Sequence, residues 1–333
     1  MIDVKKLREI TYLMRSKRGA VSVIAAIAFT AILLMTGVVV DLGRSYVEAS
    51  SLQSAADAAS LAASYLLPVG IDDITAISAV ETKAIEYVAK NGKDASQVRS
   101  ISLGQPVSGK YTTVSVELHG EVEYLFGQIA GITHGEINKR ATTRVESVIS
   151  ASGTVPLGIP EDSYLTALAN NTTDNLTVKY GAPDGEEGFY GALDLDGVKG
   201  GGANDYSTWL SFGYYGEISV NDNIFTEPGN MTGPTATSFA ERFNSCTHFP
   251  GQGGCTTEHF ENECARVVNL IIYQDIGKGE LKVTGFAPFI LDGISPEGYI
   301  TASKIDLQIN EGSTTELDET TIKFGLFKSR LIE

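Results

Sequence analysis

Residues 20–40 read AVSVIAAIAFTAILLMTGVVV, 21 consecutive positions without a charge. A helix of that length, at about 1.5 Å per residue, reaches roughly 30 Å, the thickness of the hydrocarbon core of a bilayer. Arg18 and Asp41 bracket it. The stretch is apolar on every face, so it offers no polar side to water and is disfavoured as a core helix of a soluble domain. It also exceeds the apolar region of a cleaved secretory signal, about 7–15 residues, and the weak Val47-Glu48-Ala49 site lies well beyond it. A single retained membrane helix is therefore expected, with the rest of the chain folding on one side of the membrane.

Charge decides which side. Lys5, Lys6, Arg8, Arg15, Lys17 and Arg18 stand against Asp3 and Glu9 in residues 1–40, a local balance of +4; the whole chain carries −16, which leaves −20 for residues 41–333. Basic residues close to a span stay cytoplasmic, so the N-terminus is expected inside and the acidic body outside. An acidic surface repels phosphate backbones and argues against a nucleic-acid partner. The expected division is a basic head at 1–19, the span at 20–40, a first module at 41–150, and a glycine-rich, strand-rich domain at 151–333, with Pro156-Leu-Gly-Ile-Pro160 marking the boundary. The fold class is α+β: one membrane helix, an alanine-rich extension, and a strand-rich body.

The helix is expected to continue past Asp41. Residues 41–67 lack proline, and Leu42, Tyr46, Ala49, Leu52, Ala56, Ala59 and Ala63 recur at three-to-four spacing, the signature of one helix face. Pro68 and Gly70 end it. A second helix fits 72–90, opened by Asp72 or Asp73 and closed by Asn91-Gly92. Val98–Leu103 and Tyr111–His119 alternate as strands do. Leu125–Ala130 reads as a short helix and Glu136–Ser150 as a long strand, so the module reads α-α-β-β-α-β. Beyond the boundary, Glu161–Ala169 reads as a helix, Leu176–Tyr180 as a strand, and 181–204 as a glycine-rich loop. Tyr206, Trp209, Phe212, Tyr214 and Tyr215 form an aromatic cluster expected to fill a core. Phe239–Phe243 reads as a short helix, and Ala265–Gln274, Glu280–Leu291 and Tyr299–Ile309 as strands.

The first third resembles the TadE/TadG-like family of Tad (Flp) pilus-assembly proteins. The resemblance rests on Arg18-Gly19-Ala20-Val21, the apolar span, Val40-Asp41-Leu42-Gly43-Arg44, and above all Leu52-Gln53-Ser54-Ala55-Ala56-Asp57-Ala58-Ala59-Ser60-Leu61-Ala62-Ala63. More loosely, Pro156–Pro160, Gly191–Gly197, Glu227–Pro234 and Val283–Ile290 are similar to segments of the longer TadG-like proteins. The resemblance implies a component of a prokaryotic pilus or secretion machine, with other Tad/Flp pilus-assembly proteins and the membrane as partners, self-association as a further option, and no enzymatic activity. Pilin-like subunits of this kind are cut after a glycine and carry a glutamate five residues later. Gly19 and Ala20 would form that processing site, but the fifth residue here is Ile24, so the anchor is expected to stay attached. A von Willebrand-type aspartate-x-serine-x-serine metal motif, found in some TadG-like proteins, is missing from the sequence.

Leu52, Ala56, Ala59 and Ala63 form a small-residue face that lets another backbone approach closely, and partner helices are expected to pack there. The chain's three cysteines, Cys246, Cys255 and Cys264, stand nine residues apart, with His248 and His259 among them. A disulfide with one odd cysteine is the expected state outside the cytoplasm. The competing readings are a zinc site of three thiolates and His259, and free thiols. Asp194, Asp196, Gly197 and Asp205, beside Asp184, Glu186 and Glu187, suggest calcium ligation, but Lys199 stands where an EF-hand needs glycine, and solvated turns are expected. Catalytic motifs are absent. His119 and His134 read as ordinary polar positions without an acid partner. Asn170, Asn171, Asn175 and Asn230 open N-x-S/T sequons. No cofactor is expected. The leading function is a non-enzymatic assembly role; the alternatives are a membrane-anchored surface binding module, with loops 181–264 as its contact region, and an extracellular zinc enzyme.

Overall fold

The computed structural model describes residues 4–179, 189–229, 231–251 and 253–332, with side chains from residue 21 onward except at 189 and 190. Its first element, α1 (Val4–Ser64), is a single unbroken helix of 61 residues, about 90 Å long at the standard rise. Residues 21–36 and 38–40 are exposed on every side, as a lipid-facing span requires, and Gly37 is the one buried position among them. Past Asp41 the same helix becomes a core element. Leu52, Ala55, Ala56, Ala59 and Ala63 have no exposed surface.

The second helix, α2 (Ile74–Lys90), begins where Asp73 accepts a hydrogen bond from the Ala76 amide at 2.9 Å and ends at Asn91. This is the expected element, with its N-cap fixed at Asp73. The first sheet has six strands: β1 (Val98–Leu103), β2 (Thr113–Glu123), β3 (His134–Val148), β11 (Leu307–Gln308), β12 (Thr314–Glu316) and β13 (Leu326–Leu331). Their order is β11-β13-β3-β2-β1, with β12 also on β3. The helices α1 and α2 cover one face, where Val80, Ala84 and Val88 meet Val114, Val116, Leu118, Ala141, Val145 and Phe327. The alanines of α1 matter because the helix lies almost on the sheet. A Cβ at Gly120 of β2 would sit 2.6 Å from Leu52 Cδ1, so neither surface has room for a larger side chain.

The second sheet has seven strands: β4 (Gly158–Pro160), β5 (Leu176–Lys179), β6 (Phe189–Asp194), β7 (Asn223–Pro228), β8 (Val267–Gly277), β9 (Glu280–Ile294) and β10 (Ile300–Lys304). They run β4-β8-β9-β7-β6, with β10 joining β9 to β5. Three helices accompany them: α3 (Glu161–Ala169), α4 (Gly202–Phe212) and α5 (Thr232–Asn244). Tyr164, Tyr206, Leu210, Phe239 and Phe289 fill one core, and Trp209, Ile271, Phe286 and Leu326 another.

Several expectations change. The face assigned to partner helices is spent inside the chain: Leu52, Ala56, Ala59 and Ala63 are wholly buried against α2 and the first sheet. The small residues do permit close approach, but to the protein's own sheet. Leu42 and Tyr46, placed on the same face by their apolar character, are 62% and 76% exposed; the inward positions there are Asp41 and Ser45, because polar groups, not apolar ones, make the contact at that level. The boundary at 151–160 does not separate the two sheets in sequence. Strand β13 returns from the chain end to pair with β3, Phe327 opposite Ser147 and Leu331 opposite Thr143. The segment 181–204 is not all loop: residues 181–188 lie outside the described residues, while β6 pairs with β7 and α4 begins at Gly202. The short helix at 239–243 is the end of the longer α5. Leu125–Ala130 holds only a 3₁₀ turn at Gly127–Ala130. Of the aromatic cluster, Tyr206 and Trp209 are buried, whereas Phe212 and Tyr215 are exposed.

Candidate functional sites at the membrane junction and in a cysteine loop

Asp41 is the first polar residue after the span, and its carboxylate is buried. Its Oδ1 accepts from the Leu125 amide at 2.8 Å, and its Oδ2 from the Phe126 and Gly127 amides at 2.9 and 2.7 Å. Those three amides open a 3₁₀ turn, where backbone donors have no partner of their own. A carboxylate that takes three of them closes the loop between β2 and β3 onto the helix. Three neighbours reinforce it. Arg44 Nη1 donates to the Glu123 carbonyl at 2.8 Å, Ser45 Oγ lies 3.5 Å from the Tyr124 hydroxyl, and Lys93 pairs with Glu48 at 2.8 Å. One turn below Asp41 the Phe126 ring lies over Gly37, where a Cβ would come within 2.5 Å of it. The aspartate-leucine-glycine-arginine stretch is thus a clamp between helix and body. Beside it, Val40, Gly43, Arg44, Val47, Glu48 and Glu121–Glu123 line an open groove of about 870 Å³.

The second site lies in the segment between α5 and β8, residues 245–266, which contains no helix or strand among its described residues. Two buried arginines hold its ends. Arg242 Nε donates to the Leu210 carbonyl at 2.7 Å and Nη1 to the Ala265 carbonyl at 2.9 Å. Arg266 donates to the carbonyls of Leu291 and Gly253 and stacks its guanidinium 4.1 Å from the Phe243 ring centre. Between them Cys246, Cys255 and Cys264 converge as unbridged thiols. The fourth residue brought to them is His248. One ligand atom from each of these four residues lies within 4.8 Å of the others, with His248 Nδ1 3.6 Å from Cys255 Sγ and 4.0 Å from Cys246 Sγ. The backbone amides of Cys255 and Arg266 point at Cys246 Sγ and Cys264 Sγ, each at 3.5 Å. Burial opposes ionisation of Cys246, but the Cys255 amide and neighbouring donors outweigh it and pull the thiol down to about 6; burial pushes Cys264 up to about 12.

His259, the imidazole that the zinc reading of the sequence placed in this cluster, does not join it. Its ring packs edge-on to Phe249, with centroids 4.7 Å apart, and its Nδ1 lies 3.2 Å from Thr256 Oγ1. Because both histidines lie among the cysteines in sequence, only the fold distinguishes them. The acidic group is looser. Asp194 Oδ2 accepts from the amides of Gly200 and Gly201, while its buried Oδ1 has no partner. Glu227, which the sequence reading did not single out, is buried nearby; burial, and then the charges of Asp194, Asp205 and Asp196, hold its carboxyl above the usual range. Among the described residues the cysteine–histidine group is the one whose ligand atoms converge as a metal would require. Asp184, Glu186 and Glu187 lie outside the described residues. His119 contacts Asn138 at 3.0 Å, and His134 has an acid neighbour after all, Glu121 at 3.6 Å on the paired strand, though both groups are exposed. Asn170, Asn171 and Asn175 are exposed, and Asn230 lies outside the described residues.

Residues 19–65 match the family described as "Putative Flp pilus-assembly TadE/G-like". Neither the curated proteins nor the solved structures gave a match to this chain. The matched stretch takes in the whole apolar span, Asp41 and Arg44 of the clamp, and the buried alanines of α1, and it ends one residue past the helix.

Proposed function

We propose that this chain is a non-enzymatic, membrane-anchored component of a Tad/Flp-type pilus assembly or secretion system, with its N-terminus in the cytoplasm and its acidic body outside. The observation that carries this reading is the continuity of α1. The family-matched residues form one helix whose first half is lipid-facing and whose second half is the core of the body. Such a helix cannot swivel relative to the body, because the Asp41 clamp and the buried alanines fix it at two levels. The body is therefore presented at a set height and orientation above the membrane, which suits a scaffold holding other machine parts in register. The basic head supports the orientation. The uncharged Ile24 supports retention of the anchor, with Gly19 and Ala20 remaining joined.

Since the alanine face is buried, partner contacts fall to what α1 leaves exposed, including Leu42, Tyr46 and Val47 just above the span. Cross-linking in native membranes followed by affinity purification of the full chain tests the reading. Other Tad/Flp pilus-assembly proteins are expected to co-purify, together with an intact peptide spanning Lys17–Val21. Recovery of the chain alone, from membranes in which those proteins are present, would overturn the assembly role.

A further inference from the structure

We infer that Cys246, His248, Cys255 and Cys264 form a closed, structural zinc site that organises residues 245–266. A segment of this length without secondary structure is uncommon inside a compact domain unless something holds it. Its fully buried apolar residues are few: Cys255 and Cys264, packed on Ile290 of β9 and Ile305. Four ligand atoms meet at its centre. Tetrahedral zinc, with bonds of about 2.3 Å to sulfur and about 2.0 Å to nitrogen, separates its sulfur and nitrogen ligands by roughly 3.5 Å. The observed 3.6 and 4.0 Å from His248 Nδ1 to two of the sulfurs need little adjustment to reach that geometry.

A disulfide would use two thiols and strand the third beside an imidazole, whereas zinc uses all four groups. The amides aimed at Cys246 Sγ and Cys264 Sγ supply the outer hydrogen bonds that thiolate ligands take. The three cysteines would bind as thiolates beside a neutral imidazole, leaving a complex of net charge −1. The Arg266 guanidinium lies close enough to offset it: a Cβ at Gly254 would be 2.9 Å from Arg266 Nη1 and 3.2 Å from Cys246 Sγ. With four protein ligands no position remains for water, so the site is structural and not hydrolytic.

The test uses the full chain purified in detergent without chelator or reductant. About one zinc per chain is expected, and cobalt exchanged into the wild-type protein should show intense thiolate charge-transfer bands and tetrahedral visible bands. His248→Ala should lower bound zinc at least about tenfold while His259→Ala retains it. Folded wild-type protein without zinc, or equal zinc in His248→Ala, overturns the proposal; a mass two hydrogens short in that protein assigns a disulfide instead.

A separate observation concerns the loop between β2 and β3. We propose that residues 125–132 enter the lipid interface beside the span, a proposal that rests on reading residues 20–40 as membrane-embedded. Leu125, Phe126, Ile129 and Ile132 are 58%, 42%, 71% and 55% exposed. The Phe126 ring sits on Gly37, inside the apolar stretch and about 6 Å below Asp41 along the helix. A loop enters lipid at low cost only where its backbone groups have partners, and six of the amides over residues 125–132 do. The amides of residues 125–127 bind Asp41, Ile129 donates to Phe126, Gly131 to Gln128, Ile132 to Gly127, and Tyr124 to Thr133.

The full chain in bilayers containing brominated lipids distinguishes the outcomes, with the buried Trp209, the chain's one tryptophan, as background. Ile129→Trp should be quenched by bromines near the headgroups, and Leu33→Trp by those deeper in the bilayer. Tyr215→Trp on the body should stay unquenched. Quenching of Leu33→Trp without Ile129→Trp overturns the loop proposal alone; quenching of neither overturns the membrane reading itself.

Discussion

Replacing Ala59 with leucine is expected to destabilise the body while leaving the span intact. Ala59 has no exposed surface and belongs to the layer where α1 lies nearly in contact with the first sheet. Extra methylenes in a packed core cost about 1–3 kcal/mol, and more where the backbone cannot yield. Here the helix is fixed on both sides of position 59, by the Asp41 clamp below and by Ser64, whose hydroxyl lies 2.7 Å from Ser329 Oγ, above. For a body of this size each kcal/mol lowers the melting temperature by about 2–4 °C. Thermal unfolding of the detergent-solubilised chain, followed by near-ultraviolet circular dichroism, should show the loss. Ser54→Leu, on the exposed side of the same helix, should not. An unchanged melting temperature in Ala59→Leu would refute the packing. The result also governs how partner loss is to be read, because a leucine here disturbs the chain's own packing and so does not report on a neighbour alone.

The second large effect is expected at Asp41. Asparagine keeps the shape of the side chain but replaces one acceptor oxygen with a donor facing amides that are themselves donors. Removing the charge weakens all three charge-assisted bonds together, and exchange of the Leu125, Phe126 and Gly127 amides should accelerate at least about tenfold. Hydrogen exchange read by mass spectrometry on the loop peptide checks this, with the buried amides of β3 as internal reference. Equal protection in Asp41→Asn would mean that Phe126 on Gly37 holds the loop without the carboxylate. Acceleration throughout the first sheet would mean that the clamp supports the whole module.

Much of the fold could be read locally. The span announces itself by composition, α2 by Asp73 at one end and Asn91-Gly92 at the other, and α3 and β1 by patterns contained within their own residues. The largest failures share a cause, a partner distant in sequence. Asp41 reads as the end of a span, and nothing nearby shows that its acceptors serve amides 84 to 86 residues later. The alanine face correctly signals close approach, but sequence alone cannot tell an internal neighbour from an external one. His248 and His259 are equivalent by spacing, and only the turn at Gly253-Gly254, where both glycines take positive φ angles of 82° and 92°, brings Cys255 toward the former. Strand β6 was hidden because Gly191-Ala-Leu-Asp lies within a glycine-rich stretch whose alternation is too short to stand out.

The return of β13 to the edge of β3 has a consequence for how the chain comes to be folded. If the body is threaded across a membrane from its anchored end, α1, α2 and the first three strands arrive early and already contain most of one apolar layer. They cannot close it, because Leu317, Ile322 and Phe327 of that layer emerge well over 150 residues later. Until then β3 keeps a free edge with unpaired backbone groups, the feature that invites pairing with another chain. Contacts such as Ser64 with Ser329 span 265 residues, and closure over such a separation is slow. The early module must therefore wait, half-built at the membrane surface, until β13 pairs with β3 and acts as the latch that ends its exposure.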